Sequence, residues 1–261
     1  MTARLILVFV LSVLVGLIIN APSERLLPWV IDKAVPKSLG IELIGIRGGL
    51  LDGGAARVRY QNTEVRELRW RVKPAALLTL KLAADIDISL NSRDLDQDNA
   101  WLSASIMKPL LSSRIHVRDL HAAAASEQLQ GLLKLAYLPV TAQLEARIDS
   151  LTLHHMKPES ITGEVVLSRS YWTLGKREPL GQFQALISTT DEGIIEAKIA
   201  DAEDGRVDID ALAALQADGR YQLEARLKPK ATTPTAVVNH MKGLGRTDRQ
   251  GWYNIQQSGQ I

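Results

Sequence analysis

The chain of 261 residues contains no cysteine. That excludes a disulfide framework and thiolate metal or redox sites; it is compatible with an oxidising compartment without requiring one. Aromatic residues are scarce at 5%, with only two Phe, so a core must be built from aliphatic side chains. Long runs of one charge sign are also missing: 31 Lys and Arg against 29 Asp and Glu leave a formal net charge of +2. A nucleic-acid footprint needs a basic face with interleaved aromatics, so no nucleic-acid partner is expected. Low complexity is confined to the Ala122–Ala125 tract, and disorder is not the expectation away from the termini.

Catalytic patterns are wanting too. His116, His121, His154, His155 and His240 show neither H-x-x-x-H nor H-E-x-x-H spacing, which argues against zinc. Read as strand neighbours, His154 and His155 point to opposite faces and share no ligand cluster. Asp94, Asp96, Asp98 and Asn99 imitate the start of a calcium loop, but Asn99 and Ser105 stand where that loop needs Gly and Glu. A solvated acidic turn is the reading there. No G-x-S-x-G element or phosphate-cradling loop occurs, and Gly243-Leu244-Gly245 follows a helical pattern instead of opening one. Asp85 with Asp87, and Asp208 with Asp210, repeat at spacing two, as the wet side of a strand does. The expectation is a non-enzyme: no catalytic residue, no metal site and no cofactor.

What the chain does have is a greasy start. Leu5 to Ile19 is interrupted only by Ser12 and Gly16. Extended to Ala21 it makes a helix of roughly 25 Å at about 1.5 Å per residue, near the lower limit of a membrane span. Met1–Arg4 also resembles the basic beginning of a secretory signal. Bulky Ile19 and the backbone restriction of Pro22 oppose cleavage after Ala21, which favours a retained anchor over 5–21. Arg4 and the amino terminus weakly bias the first four residues to the cytoplasm. Leu26, Leu27, Val30, Ile31 and Ala34 suit a short amphipathic helix between Pro28 and Pro36, or a loosely packed linker, within a juxtamembrane segment 22–40.

Residues 41–261 alternate polar and apolar side chains at period two, the mark of half-buried antiparallel strands. Ile86, Ile88 and Leu90 form one such row, Ala142 to Ile148 another, and Tyr221 to Leu227 a third. Gly48-Gly49 and Gly53-Gly54 predict a glycine turn between two strands. Turn signals at Asp191-Glu192-Gly193, Glu203-Asp204-Gly205 and Ala217-Asp218-Gly219 predict a meander from about Val165 to Lys228. Helical patterns are few: His121 to Tyr137 after Asp119, and Thr235 to Leu244 after Pro234. The apolar phase is even through Ile148 and odd at Leu151 and Leu153, which predicts a bulge or break at Asp149 or Ser150. A mainly β fold with one greasy sheet face results, to be covered by curling, by a second sheet or by bound lipid.

Two stretches carry a resemblance. Leu68-Arg69-Trp70-Arg71-Val72-Lys73-Pro74-Ala75-Ala76-Leu77-Leu78 is similar to the tryptophan-x-x-x-proline-x-x-leucine-leucine pattern of the type II secretion system protein N family. Leu244 to Tyr253, with Gly259, resembles that family's closing leucine-glycine, aspartate, glycine-aromatic pattern, and Asp218-Gly219-Arg220-Tyr221 with Leu223 and Leu227-Lys228-Pro229 lies between. Thr79-Leu80 and Gln143 depart from it where the family usually has glycine. The resemblance implies an inner-membrane, periplasm-facing accessory of the machine that exports folded proteins across the outer membrane. It implies other secretion components, including the outer-membrane secretin, as candidate partners. It also implies a large curved antiparallel sheet, an open half-barrel akin to AsmA-like envelope proteins, and it carries over no catalytic residue. A lipid-binding or lipid-conveying module with an apolar groove is the alternative. By strand parity Leu68, Trp70 and Val72 face inward, Pro74 ends the strand, and Arg69 and Arg71 face out as candidate partner contacts.

Overall fold

The computed structural model describes residues 41–60, 63–89, 100–126, 140–202 and 204–260. The expected anchor, the juxtamembrane helix, the Asp94–Asn99 turn and residues 127–137 of the expected helix lie outside them. No helix of the described residues is long and apolar enough to cross a membrane.

The chain divides into two compact units, residues 1–112 and 113–261. The first holds β1 (Ile41–Gly48), β2 (Asp52–Tyr60), β3 (Thr63–Val72), β4 (Lys81–Ser89) and β5 (Trp101–Pro109), with a short 3-10 helix, Pro74–Thr79, between β3 and β4. The second holds β6 (Arg114–Ala125), β7 (Val140–His154), β8 (Lys157–Trp172), β9 (Glu178–Thr189) and β10 (Ile195–Asp201). It continues with β11 (Val207–Leu215), β12 (Arg220–Pro229), helix α1 (Thr235–Lys242) and β13 (Tyr253–Gln260). In each unit every strand pairs antiparallel with its sequence neighbour, so strand order is chain order. The fold is a mainly β meander with few helices, as the alternation predicted. Positive φ at Gly193 and Gly219 closes the β9–β10 and β11–β12 hairpins.

The phase change falls where it was expected. Ile148 opposes Gly163 and Ser150 opposes Thr162, leaving Asp149 as the extra residue of β7. On the other side of β7, Arg118 pairs with Ser150 and Leu120 with Ile148, and the residue between, Asp119, has φ 50°. The irregularity therefore crosses three strands, where it increases twist and bends them. A second row lies at Glu67, whose φ of 52° accompanies a register shift between Arg66 and Leu68 against β4.

One expected helix is corrected. His121–Ala125 belong to β6, where Ala122 faces Ala146 and Ala124 faces Leu144 of β7. Alanine has the highest helix propensity. Here pairing along β7 prevails, because the small methyls Ala123 and Ala124 fit buried positions of the sheet.

A closely packed core forms under α1. Val237 and Met241, one helical turn apart on one face, are each 4% exposed and pack with Trp172, Leu180, Phe183, Val207 and Tyr253. Helix α1 begins after Pro234 and carries Lys242 in its last turn, where positive charge complements the helix dipole. Elsewhere the buried apolar residues are mostly alanines, among them Ala55, Ala104, Ala142 and Ala211. Larger side chains such as Leu144, Leu151, Ile187 and Leu223 stay half-buried.

Candidate partner-binding surface

Strand β3 positions the two candidate arginines. After the left-handed Glu67, alternation resumes with Leu68, Trp70 and Val72 half-buried and Arg69, Arg71 and Lys73 exposed. The Trp70 Nε1–H donates to the carbonyl of Leu50 at 3.1 Å, pinning the β1–β2 turn against β3. A Cβ on Gly53 would lie 2.6 Å from Trp70 Cζ2 and 2.6 Å from the Gly49 oxygen, so only glycine fits beneath the indole. The Gly53-Gly54 signal is thus one of close approach.

Arg69 and Arg71 are about three-quarters exposed, at 74% and 73%. Arg69 Nη2 lies 3.9 Å from Glu67 Oε2, and Arg71 Nε lies 3.8 Å from Asp52 Oδ2. Contacts so long and wet contribute little to stability and leave the guanidinium groups available. Arg69 also lines an open depression of about 720 Å³, floored by Gly48, Gly53 and Gly54 and edged by Arg47, Arg57 and Arg66. Among the described residues of that lining the carboxylates are Asp52 and Glu67, against four arginines. Arg69 contributes to a smaller neighbouring depression too, of about 330 Å³, with Asp87 and Trp101. Arg71 lines neither.

The structure therefore adds Arg47, Arg57 and Arg66 to the residues expected from sequence. Their convergence follows from hairpin register, in which Arg57 faces Arg66 and Arg69 faces Gly54. Alternation within one strand cannot show that. Arg57 and Arg66 have interactions of their own, and the exposed guanidinium fork of Arg69 is of the kind that suits bidentate recognition of carboxylates or phosphates.

Three of the four paired carboxylates are taken up structurally. Asp85 accepts hydrogen bonds from Lys73 Nζ at 2.6 Å and from Ser105 Oγ at 2.6 Å. These two bonds, Lys73's first, hold its pKa below the ordinary value against the opposing effect of burial. Asp208 meets Lys230 at 3.2 Å, and Asp210 pairs with Arg226. The histidine expectation is corrected: His154 ends β7 and His155 turns with φ 49°, so their ring centroids lie 4.3 Å apart with the planes tilted by 39° instead of on opposite faces. Even so, among the described residues no group of three or more His, Asp or Glu stands ready for a metal ion.

A scan against family models matches residues 39–256 to "Type II secretion system (T2SS), protein N". The chain belongs to the type II secretion system protein N family. A Vibrio cholerae serotype O1 protein named Type II secretion system protein N is 26% identical over 98% of this chain and 97% of its own. An Aeromonas hydrophila protein of the same name is 22% identical over 85% of each chain. No solved structure matches. The family is that of a secretion-system component, and the match takes in both units, from just before β1 into β13.

Proposed function

We propose that the chain is an inner-membrane scaffold of the type II secretion system that contacts other secretion components in the periplasm. Residues 1–4 lie in the cytoplasm, 5–21 form a single membrane span, 22–40 a juxtamembrane segment, and 41–261 a periplasmic β-rich domain. Family membership and the uncleavable look of Leu5 to Ile19 before Pro22 support this reading. The observation that carries the interaction role is the arginine-edged depression on β1–β3, which offers charge and shape for an acidic partner and no chemistry of its own. Its natural counterparts are acidic surfaces of inner-membrane secretion proteins or of the outer-membrane secretin.

Charge reversal tests it. Arg69→Glu with Arg71→Glu changes two exposed side chains, so the protein accumulates normally. Co-purification of secretion components from mildly solubilised membranes is expected to fall at least tenfold, with a parallel loss of export. Unchanged co-purification and export would remove this surface from the function. Met1 at the start of the mature chain, with resistance to alkaline extraction, is the outcome expected of the anchor.

A second reading is favoured by one observation: half-buried aliphatic rows outside the α1 core. They suit a module whose sheet face holds an acyl chain.

A further inference from the structure

We propose that one end of the first unit's sheet is a lipid-contacting tip, built by the connections β3–β4 and β5–β6. The six leucines there are exposed to degrees unusual for such side chains: Leu77 45%, Leu78 88%, Leu80 58%, Leu82 47%, Leu110 52% and Leu111 90%. They come from two separate stretches of sequence that the sheet brings together. Lys81 pairs with Pro109 and Leu82 with Lys108, and the Leu110 N–H donates to the Leu80 carbonyl at 2.9 Å. Leu80 sits in left-handed backbone with φ 54°, closing the 3-10 helix through its own N–H to the Leu77 carbonyl at 3.0 Å. These bonds hold the leucines outward in spite of the cost of wetting them.

The chemistry selects the occupant. Residues 74–82 and 108–111 include Lys81 and Lys108 and no Asp or Glu. Leucine with flanking lysine and no acid is the composition that settles at a bilayer interface, the apolar tips among acyl chains and the ammonium groups among anionic headgroups. Leu78, in the 3-10 helix, and Leu111, in the turn after β5, are near 90% exposed, and a yielding lipid surface covers them without a preformed socket. The tip goes beyond the arginine surface, and it rests on the proposed membrane attachment only for delivery to a bilayer. Strand β1 begins at the opposite end of this sheet, about 26 Å away at ~3.3 Å per residue. The 19 residues of segment 22–40 reach about 60 Å when extended, so attachment there leaves the tip free to turn to the membrane.

The lack of native cysteine makes the test clean, since Leu78→Cys in the full chain accepts a single environment-sensitive fluorophore. The protein is reconstituted into phosphatidylethanolamine vesicles with and without phosphatidylglycerol, and Asp191→Cys in the exposed β9–β10 turn is the control. Expected is a blue-shifted Leu78 label, quenched at least twofold by brominated acyl chains, with the Asp191 label unaffected. Lys81→Glu with Lys108→Glu should abolish the enhancement by phosphatidylglycerol. A Leu78 label that reads water, in protein that survives alkaline washing of the vesicles, overturns the tip and leaves the anchor standing. Loss of the chain on washing overturns the anchor, whereas a blue shift before washing would still support the tip. Shielding of the label only on addition of secretion proteins would assign this end to a protein partner and overturn the proposal.

Discussion

Ser170 is 1% exposed, and its hydroxyl has no hydrogen-bond partner among the described residues. It follows Arg169, whose φ of 48° accompanies the register shift between Leu167 and Ser170 against β9. An enclosed hydroxyl without a partner costs more than an apolar group of similar shape. Ser170→Ala is therefore expected to raise stability by up to about 2 kcal/mol, read as a higher urea midpoint at unchanged slope. Lys230 behaves in the opposite sense. Its Nζ lies 2.6 Å from Asp201 Oδ2 and 3.2 Å from Asp208 Oδ1, in a part-buried cluster. Burial pushes the Asp201 pKa up, but the Lys230 bond and the Ile209 N–H outweigh it, so the net direction is down from 3.8. The stabilisation is thus complete above the ordinary carboxylate range and is lost as pH falls through the lowered native value. Hydrogen bonding to Asp201 raises the Lys230 pKa above 10.5; that contribution is complete below 10.5 and disappears as pH rises through the native value. Lys230→Met is expected to cost about 1–3 kcal/mol at neutral pH, and the gap from wild type should narrow on acidification below pH ~4, measured by urea denaturation across pH. Little of this was legible in sequence. Spacing two read Asp208 as a wet-face residue, whereas it is half-buried beside Lys230; Lys230 and Asp201 are 29 residues apart and meet only through the register of β10, β11 and β12.

At the scale of elements, α1 and the alternating strands announced themselves, because their signals are local. Pro234 before the helix and Gly243 after it suffice to mark α1. A bulge or break at Asp149 or Ser150 was equally plain, since a change of parity needs no partner to be seen, and pairing with β8 places it at Asp149. Residues His121–Ala125 misled because alanine's preference for helix is a weak prior that a neighbouring strand overrides. What sequence could not supply was where a helix is laid. Met241 is 4% exposed against Trp172, Phe183 and their neighbours, so Met241→Ala should cost about 2–4 kcal/mol. Leu223→Ala, at a half-buried position outside that core, should cost under about 1.5 kcal/mol, since little of a buried side chain's ~1.5–3 kcal/mol is realised there. Chemical denaturation of the two variants side by side checks the contrast. Equal losses would mean that the apolar rows outside α1 are packed as closely as the core beneath it.

On the scale of the whole molecule, the meander was legible because each connection carries its own turn chemistry and each strand its own alternation. The coverage of the apolar rows was not, because it depends on residues far apart in sequence. If the lipid reading holds, native mass spectrometry of the full chain released from mild detergent is expected to show phospholipid in stoichiometric amount. A uniformly lipid-free monomer would exclude it and leave the scaffold reading.

The sequential pairing has a further consequence, in the order in which the chain emerges. Within each unit every strand finds its partner in the segment made just before it, so hairpins can add one at a time to a chain delivered amino end first, with small loop-closure cost. The exception is the α1 core. Trp172, Leu180, Phe183 and Val207 come out before Val237, Met241 and Tyr253, the residues that cover them. Between those moments the apolar side chains of that core stand open to water. A nascent chain halted at Pro234 thus presents an uncovered core, and there a chaperone has something to hold.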